Sequence, residues 1–179
     1  MSPLADLSSA LRGWTDVLAG KPEAAAQFRT DFSGIATAAL TLVVAVLLSV
    51  AVQSAGAGLP SLLQFVFGLI ALGLTIAVLA IAMQRTLKLL RADVPLATLL
   101  VPTLYALALA FVVAIPLLAI VPNAGLIIIA GLGLAIWRLA TVVSGLKVLH
   151  SIVFSAVCVI VLVVVPYALY MLLLLVPSA

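Results

Sequence analysis

Long unbroken apolar tracts separated by short polar stretches set the pattern of this chain. Phe32–Val52, Leu62–Met83, Ala97–Ile120 and Leu126–Pro177 are each long enough to cross about 30 Å of hydrocarbon as a helix. Ser144-Gly145-Leu146-Lys147 and His150 interrupt the last tract, which is long enough for two crossings. Five transmembrane helices are therefore predicted, at about 32–52, 62–83, 97–120, 126–146 and 152–176. Continuous apolar runs lack the dyad alternation of membrane strands, so a barrel is excluded and the class is all-α and polytopic.

Ahead of the first tract, Leu4, Leu7, Leu11, Trp14 and Leu18 recur at helical spacing. This predicts an N-terminal amphipathic interfacial helix over 1–20, opened by Ser2-Pro3 and closed by Gly20, ahead of a transmembrane domain over 21–179. Its apolar side suits either the protein's own helices or anionic lipid. Asp6, Asp16 and the spaced apolar residues do not make a signal peptide. Lys21-Pro22-Glu23 restarts the chain as a helix expected to run past Phe28, Arg29 and Asp31 into the first crossing. On such a helix Arg29 and Asp31, two apart, would not face each other and would be solvated anchors. Gln53–Pro60 and Val121–Gly125 are uncharged turns, and Pro102 and Pro116 are expected to bend the third crossing.

Composition agrees with this pattern. Residues are 67% hydrophobic and 7% charged, with mean hydropathy +1.50, where a soluble domain has about a quarter of its residues charged. The net charge of +3 is spread beside apolar segments and forms no nucleic-acid patch. Arg12, Lys21 and Arg29 precede the first crossing, Arg85, Lys88 and Arg91 follow the second, and Lys147 follows the fourth. The intervening connections and the tail Pro177-Ser178-Ala179 carry no basic residue. The excess of Lys and Arg on one side predicts a cytoplasmic N-terminus and an outer C-terminus. Cys158 has no partner cysteine, which excludes an intrachain disulfide.

Candidate contact residues are Arg85, Lys88, Arg91, Arg138, Lys147 and His150, suited to lipid phosphates or an acidic partner segment. Arg138 is expected in the cytoplasmic half of the bilayer, either at a polar helix-facing site or snorkelling to headgroups. If the fourth helix continues to His150, Lys147 and His150 are neighbours on its surface. Trp14, Trp137, Tyr167 and Tyr170 read as interfacial anchors, and Tyr105 should find a hydrogen-bond partner on a neighbouring helix. Ala106, Ala110 and Ala114, and Gly131, Gly133 and Ala135, permit close helix approach. No nucleophile–base pair, intramembrane carboxylate pair or metal motif is present, so neither an enzyme nor a cofactor is expected.

Leu18-Ala19-Gly20-Lys21-Pro22-Glu23 with Phe28, and the run from Trp137 through Gly145-Leu146-Lys147 to His150, resemble the bacterial branch of the Yip1 family of five-helix membrane proteins. The resemblance spans about Gly20 to Val176 and implies a multi-pass protein of the bacterial inner membrane. Eukaryotic members are associated with small GTPases, but this chain has only Met1–Thr30 where they carry a long soluble region. The expected function is non-enzymatic organisation of membrane lipids, or of a membrane or cytoplasmic protein partner, through the cytoplasmic face. The alternative is a small transporter or channel component acting as a homo-oligomer.

Overall fold

The computed structural model of the chain describes residues 3–57 and 61–174. Ser2 of the expected helix start, Gly58 and Pro60 of the first turn, and the tail Pro177-Ser178-Ala179 lie outside the described residues. Helix α1 is Pro3–Ala19, followed by a 3₁₀ helix at Pro22–Gln27. The long helices are α2 (Phe32–Ala57), α3 (Leu62–Leu89), α4 (Leu96–Ile120), α5 (Ala124–Ser144) and α6 (Val148–Leu174). All five are long and apolar enough to cross a membrane. The protein is thus an all-helical membrane protein whose five spans follow a short N-terminal helix.

Helix α4 is the hub. It packs along α2 on one side and α5 on another, and touches α3 more lightly, while α6 packs on both α3 and α5. Helices α2 and α3, neighbours in sequence, do not pack along each other. Every residue from Leu99 to Ala108 is buried. At 3.6 residues per turn, an unbroken buried run covers every face of the helix. The long helices leave one side of that segment open, and α1 closes it. Trp14 Nε1 donates to the Pro102 carbonyl at 3.2 Å, a contact between residues far apart in the chain. Pro102 takes its N–H away from the α4 ladder, yet the helix runs unbroken through both Pro102 and Pro116.

Between α1 and α2 the chain departs from the continuous helix expected there. The stretch Pro22–Gln27 is 3₁₀, and Phe28 is extended at φ −97° and ψ 123°. Asp31 then caps α2, its Oδ1 accepting the Gly34 N–H at 2.8 Å and its carbonyl the Ile35 N–H at 3.0 Å. A side chain at Gly34 would place its Cβ 1.8 Å from the Arg29 carbonyl, so only glycine fits this turn. Because the backbone here is not helical, the rule that kept Arg29 and Asp31 apart does not apply. They pair at 2.9 Å.

At the other connection, α5 ends at Ser144, Gly145 turns the chain at φ +61°, and α6 begins at Val148. The fourth crossing therefore does not reach His150, which belongs to the first turn of α6. Of the small-residue positions, Gly133 is used for close approach. Ser155 Oγ donates to its carbonyl at 2.6 Å, and a Cβ there would meet Val159 Cγ2 at 3.2 Å.

The Gly34 N–H and, next, Arg29 hold the Asp31 carboxyl below its ordinary value of 3.8. A carboxyl depressed by folding contributes stability that is present above its unfolded pKa and lost as pH falls through its folded one. The cap of α2 is therefore intact at neutral pH and should fail on acidification below about pH 4. In detergent, the thermal midpoint of Asp31→Asn should fall less steeply between neutral and acid pH than that of the wild type. Parallel curves would refute the assignment.

Candidate functional site

Short connections make the five long helices alternate in direction, so the start of α2, the end of α3, the start of α4, the end of α5 and the start of α6 share one end of the bundle. All eight basic residues, the five acidic residues and the histidine lie at or near that end. Among the described residues it is the one place where polar chemistry is dense.

The candidate cations divide into separate groups there. Arg85, Lys88 and Arg91 are exposed at the end of α3. That end closes with the Arg91 N–H on the Lys88 carbonyl at 3.1 Å and the Ala92 N–H on the Leu87 carbonyl at 3.0 Å. This closure puts Arg91 at φ 53°, the left-handed conformation that glycine usually supplies and that costs a side-chain-bearing residue about 1 kcal/mol or more. Lys147 is exposed and His150 half-buried at the start of α6, where the Lys147 carbonyl accepts the Ser151 N–H at 2.9 Å. Among the described residues, none of these cations pairs with a carboxylate.

Arg138 is half-buried about 9 Å inside the end of α5. Its guanidinium lies against Gly20, at the C-terminus of α1, where the last carbonyls carry partial negative charge. Helix α1 ends with the Gly20 N–H on the Val17 carbonyl and the Lys21 N–H on the Asp16 carbonyl, at 3.0 and 2.9 Å. Lys21 also pairs with the Asp16 side chain at 2.9 Å.

Helix α1 has three faces. Asp6, Ala10, Gly13, Trp14 and Val17 are buried against the protein. Leu11 and Leu18 are 44% and 61% exposed, on a stripe rotated about 100° from the buried one. Ser8, Arg12 and Thr15 form the third, polar face. The leucine periodicity found the helix, but Leu11 and Leu18 look outward, while Leu7 packs on the core and Ala10, Gly13, Trp14 and Val17 make the protein contact. Trp14, expected as a headgroup anchor, is 6% exposed. It packs edge-on against Phe28 with ring centres 6.2 Å apart, and its indole donor is used within the protein. Phe28 reaches it because Gly13 is bare; a Cβ there would lie 2.8 Å from the phenyl ring. Trp137 is half-buried, with its indole N–H enclosed and unpartnered among the described residues. Tyr167 and Tyr170 are exposed in the last third of α6.

Among the described residues, cavities flank α1 on three sides, and three of them bear on its setting. Two are apolar grooves on either side of α4, of about 210 Å³ against α2 and about 310 Å³ against α5. The third, about 320 Å³, is the most polar of these, though Ala10, Ala26 and Phe28 also line it, and lies between α1, the 3₁₀ helix and α4. Asp6, Ser9, Gln27, Arg29 and Tyr105 line it. The sequence pattern puts Asp6 off the leucine side of α1 and gives Tyr105 a hydrogen-bond partner on a neighbouring helix. Instead Asp6 is 8% exposed, with Arg29 Nη1 at 3.8 Å, and Tyr105 is 4% exposed with no hydrogen bond among the described residues.

Gly20 stands at φ +78°, and a Cβ on it would lie 2.5 Å from Arg138 Nη2. Gly20→Ala should therefore lower stability by about 1 kcal/mol or more from backbone strain alone and loosen α1, raising proteolysis near Lys21 in detergent. Gly131→Ala, with nothing within 4 Å of the added carbon, serves as the neutral control. No family model, no curated protein and no solved structure matches the chain.

Proposed function

We propose that this is a non-enzymatic integral membrane protein that organises anionic lipids or an acidic partner through the charged end of its bundle, and that this end faces the cytoplasm. The observation that carries the reading is the trio Arg85, Lys88 and Arg91, exposed at the end of α3 without carboxylate partners among the described residues. A cytoplasmic leaflet attracts each such cation by about 1 kcal/mol, and basic connections are retained on the cytoplasmic side. The outward leucines of α1 support contact with the same leaflet, since they lie beside a polar face at the charged end. The resemblance of the Gly20–Phe28 and Trp137–His150 segments to the bacterial Yip1 family points to a bacterial inner membrane, with the C-terminus on the periplasmic side.

Arg91 allows the role of charge to be separated from that of fold. Arg91→Gly removes a cation while relieving a left-handed backbone, so its thermal midpoint should equal or exceed the wild type's. Combined with Lys88→Glu, it should reduce retention of phosphatidylglycerol in native mass spectra about thirtyfold or more, as expected from losing about 2 kcal/mol of attraction to two surface cations and adding one repulsive charge. Retention of phosphatidylcholine should stay unchanged. Unaltered phosphatidylglycerol retention in the double variant would refute a lipid-organising role for this loop.

A further inference from the structure

The polar cavity beside α1 carries chemistry that the basic end of α3 does not. It is built from three parts of the chain: Asp6 and Ser9 from α1, Gln27 and Arg29 from the 3₁₀ helix and the residues after it, and Tyr105 from α4. Asp6 and Tyr105 are each more than nine-tenths buried. Neither side chain makes a hydrogen bond among the described residues, and both line the cavity. Their oxygens are not sealed in the fold, since Trp137 Nε1 is the enclosed unpartnered side-chain atom among the described residues; Asp6 has only the long Arg29 contact, and both groups are open to an occupant of the cavity.

The charge count defines that occupant. Arg29 gives its short contacts to Asp31, with Nε and Nη2 both at 2.9 Å from Oδ2, and approaches Asp6 only at 3.8 Å. Arg29 is thus shared between two carboxylates, and because its short contacts go to Asp31, outside the cavity lining, it only partly offsets the Asp6 charge. The remaining lining groups are rich in acceptors: the Asp6 carboxylate, the Tyr105 oxygen, the Gln27 amide oxygen and the Ser9 hydroxyl. Ser9 Oγ reaches Gln27 Oε1 only at 3.5 Å. An ammonium group carries one positive charge and three N–H donors and no acceptor, which is the complement of this lining. A quaternary ammonium has the charge but no donor. At about 320 Å³, well above the roughly 10–15 Å³ that by this measure holds one water, the cavity admits an ammonium with its attached carbons and several waters.

We propose that this cavity binds a primary ammonium group, with Asp6 supplying the counter-charge and Tyr105 and Gln27 accepting its remaining N–H groups. Ethanolamine carries that group both as a free solute and as a phospholipid headgroup. The site uses none of the α3 cations, so it stands or falls separately from the lipid role proposed for them.

The test uses the full chain in detergent, in a Trp137→Phe background so that Trp14, packed on the Phe28 wall of the cavity, is the only fluorophore of its kind. Ethanolammonium chloride and choline chloride are titrated against Trp14 emission. Phosphatidylethanolamine and phosphatidylcholine are compared by native mass spectrometry. The primary ammonium should bind about tenfold tighter than the quaternary one, the worth of a hydrogen bond to a charged group. Asp6→Asn should abolish this preference, and Tyr105→Phe should weaken it several-fold. Preference seen with the free amine assigns a soluble ligand, and preference seen only with the lipid assigns a headgroup. Should Asp6→Asn fail to fold, Tyr105→Phe decides alone. Equal response to ethanolamine and choline in both forms, or a preference that survives both substitutions, overturns the proposal.

Discussion

The structure depends on α4 being enclosed on every side, and the last side is closed by α1 through Trp14. Four long helices around a fifth would enclose it unaided, but here α2 and α3 stay apart and α6 packs away on α3 and α5. The face of α1 that carries Ala10, Gly13, Trp14 and Val17 fills the opening. The indole N–H meets a carbonyl inside the fold, where a lone donor would otherwise be left without water. With α1 anchored there, its C-terminus meets Arg138, its N-terminal half sets Asp6 beside Tyr105, and the chain must fold back through a 3₁₀ helix to begin α2.

That dependence explains which parts of the fold could be read from the residues alone. Apolar length marks a crossing reliably, because no soluble structure accommodates such runs. Centrality in the bundle is invisible to the same signal, because lipid and protein interior both select apolar side chains. The α4 residues Leu99–Ala108 and the α6 residues facing lipid look alike in composition. For α1 the helical period was legible and the docking face was not. Leucine is favoured against acyl chains, whereas Ala10, Gly13 and Val17 suit a close contact between helices. An amphipathic helix between protein, lipid and water has two apolar faces, and hydropathy alone weights the bulkier one.

The polar sites were hidden for a different reason. Asp6 and Tyr105 meet only because α1 folds back on α4, and no local spacing encodes that meeting. Arg29 and Asp31 pair because Phe28 is extended and Asp31 caps α2, a break that the alanine run before it conceals. Arg138 stood out in the sequence as an intramembrane cation without an acidic neighbour. Its actual surroundings, the carbonyl end of another helix, carry no side-chain signature at all; the only trace is Gly20, whose bare Cα leaves room for the guanidinium.

The basic residues fall into two kinds, and the distinction bears on function. Lys21, Arg29 and Arg138 are committed within the N-terminal layer, to Asp16, to Asp31 and Asp6, and to the end of α1. Replacing any of them disturbs the packing of α1 and reports on fold as much as on binding. Among the described residues the side chains of Arg85, Lys88 and Arg91 make no ion pair, and Arg91 stands in a left-handed backbone that glycine would adopt without strain. The strain at Arg91 is offset by no side-chain ion pair among the described residues, so replacing these cations tests the proposed surface role with little effect on the packing of the bundle.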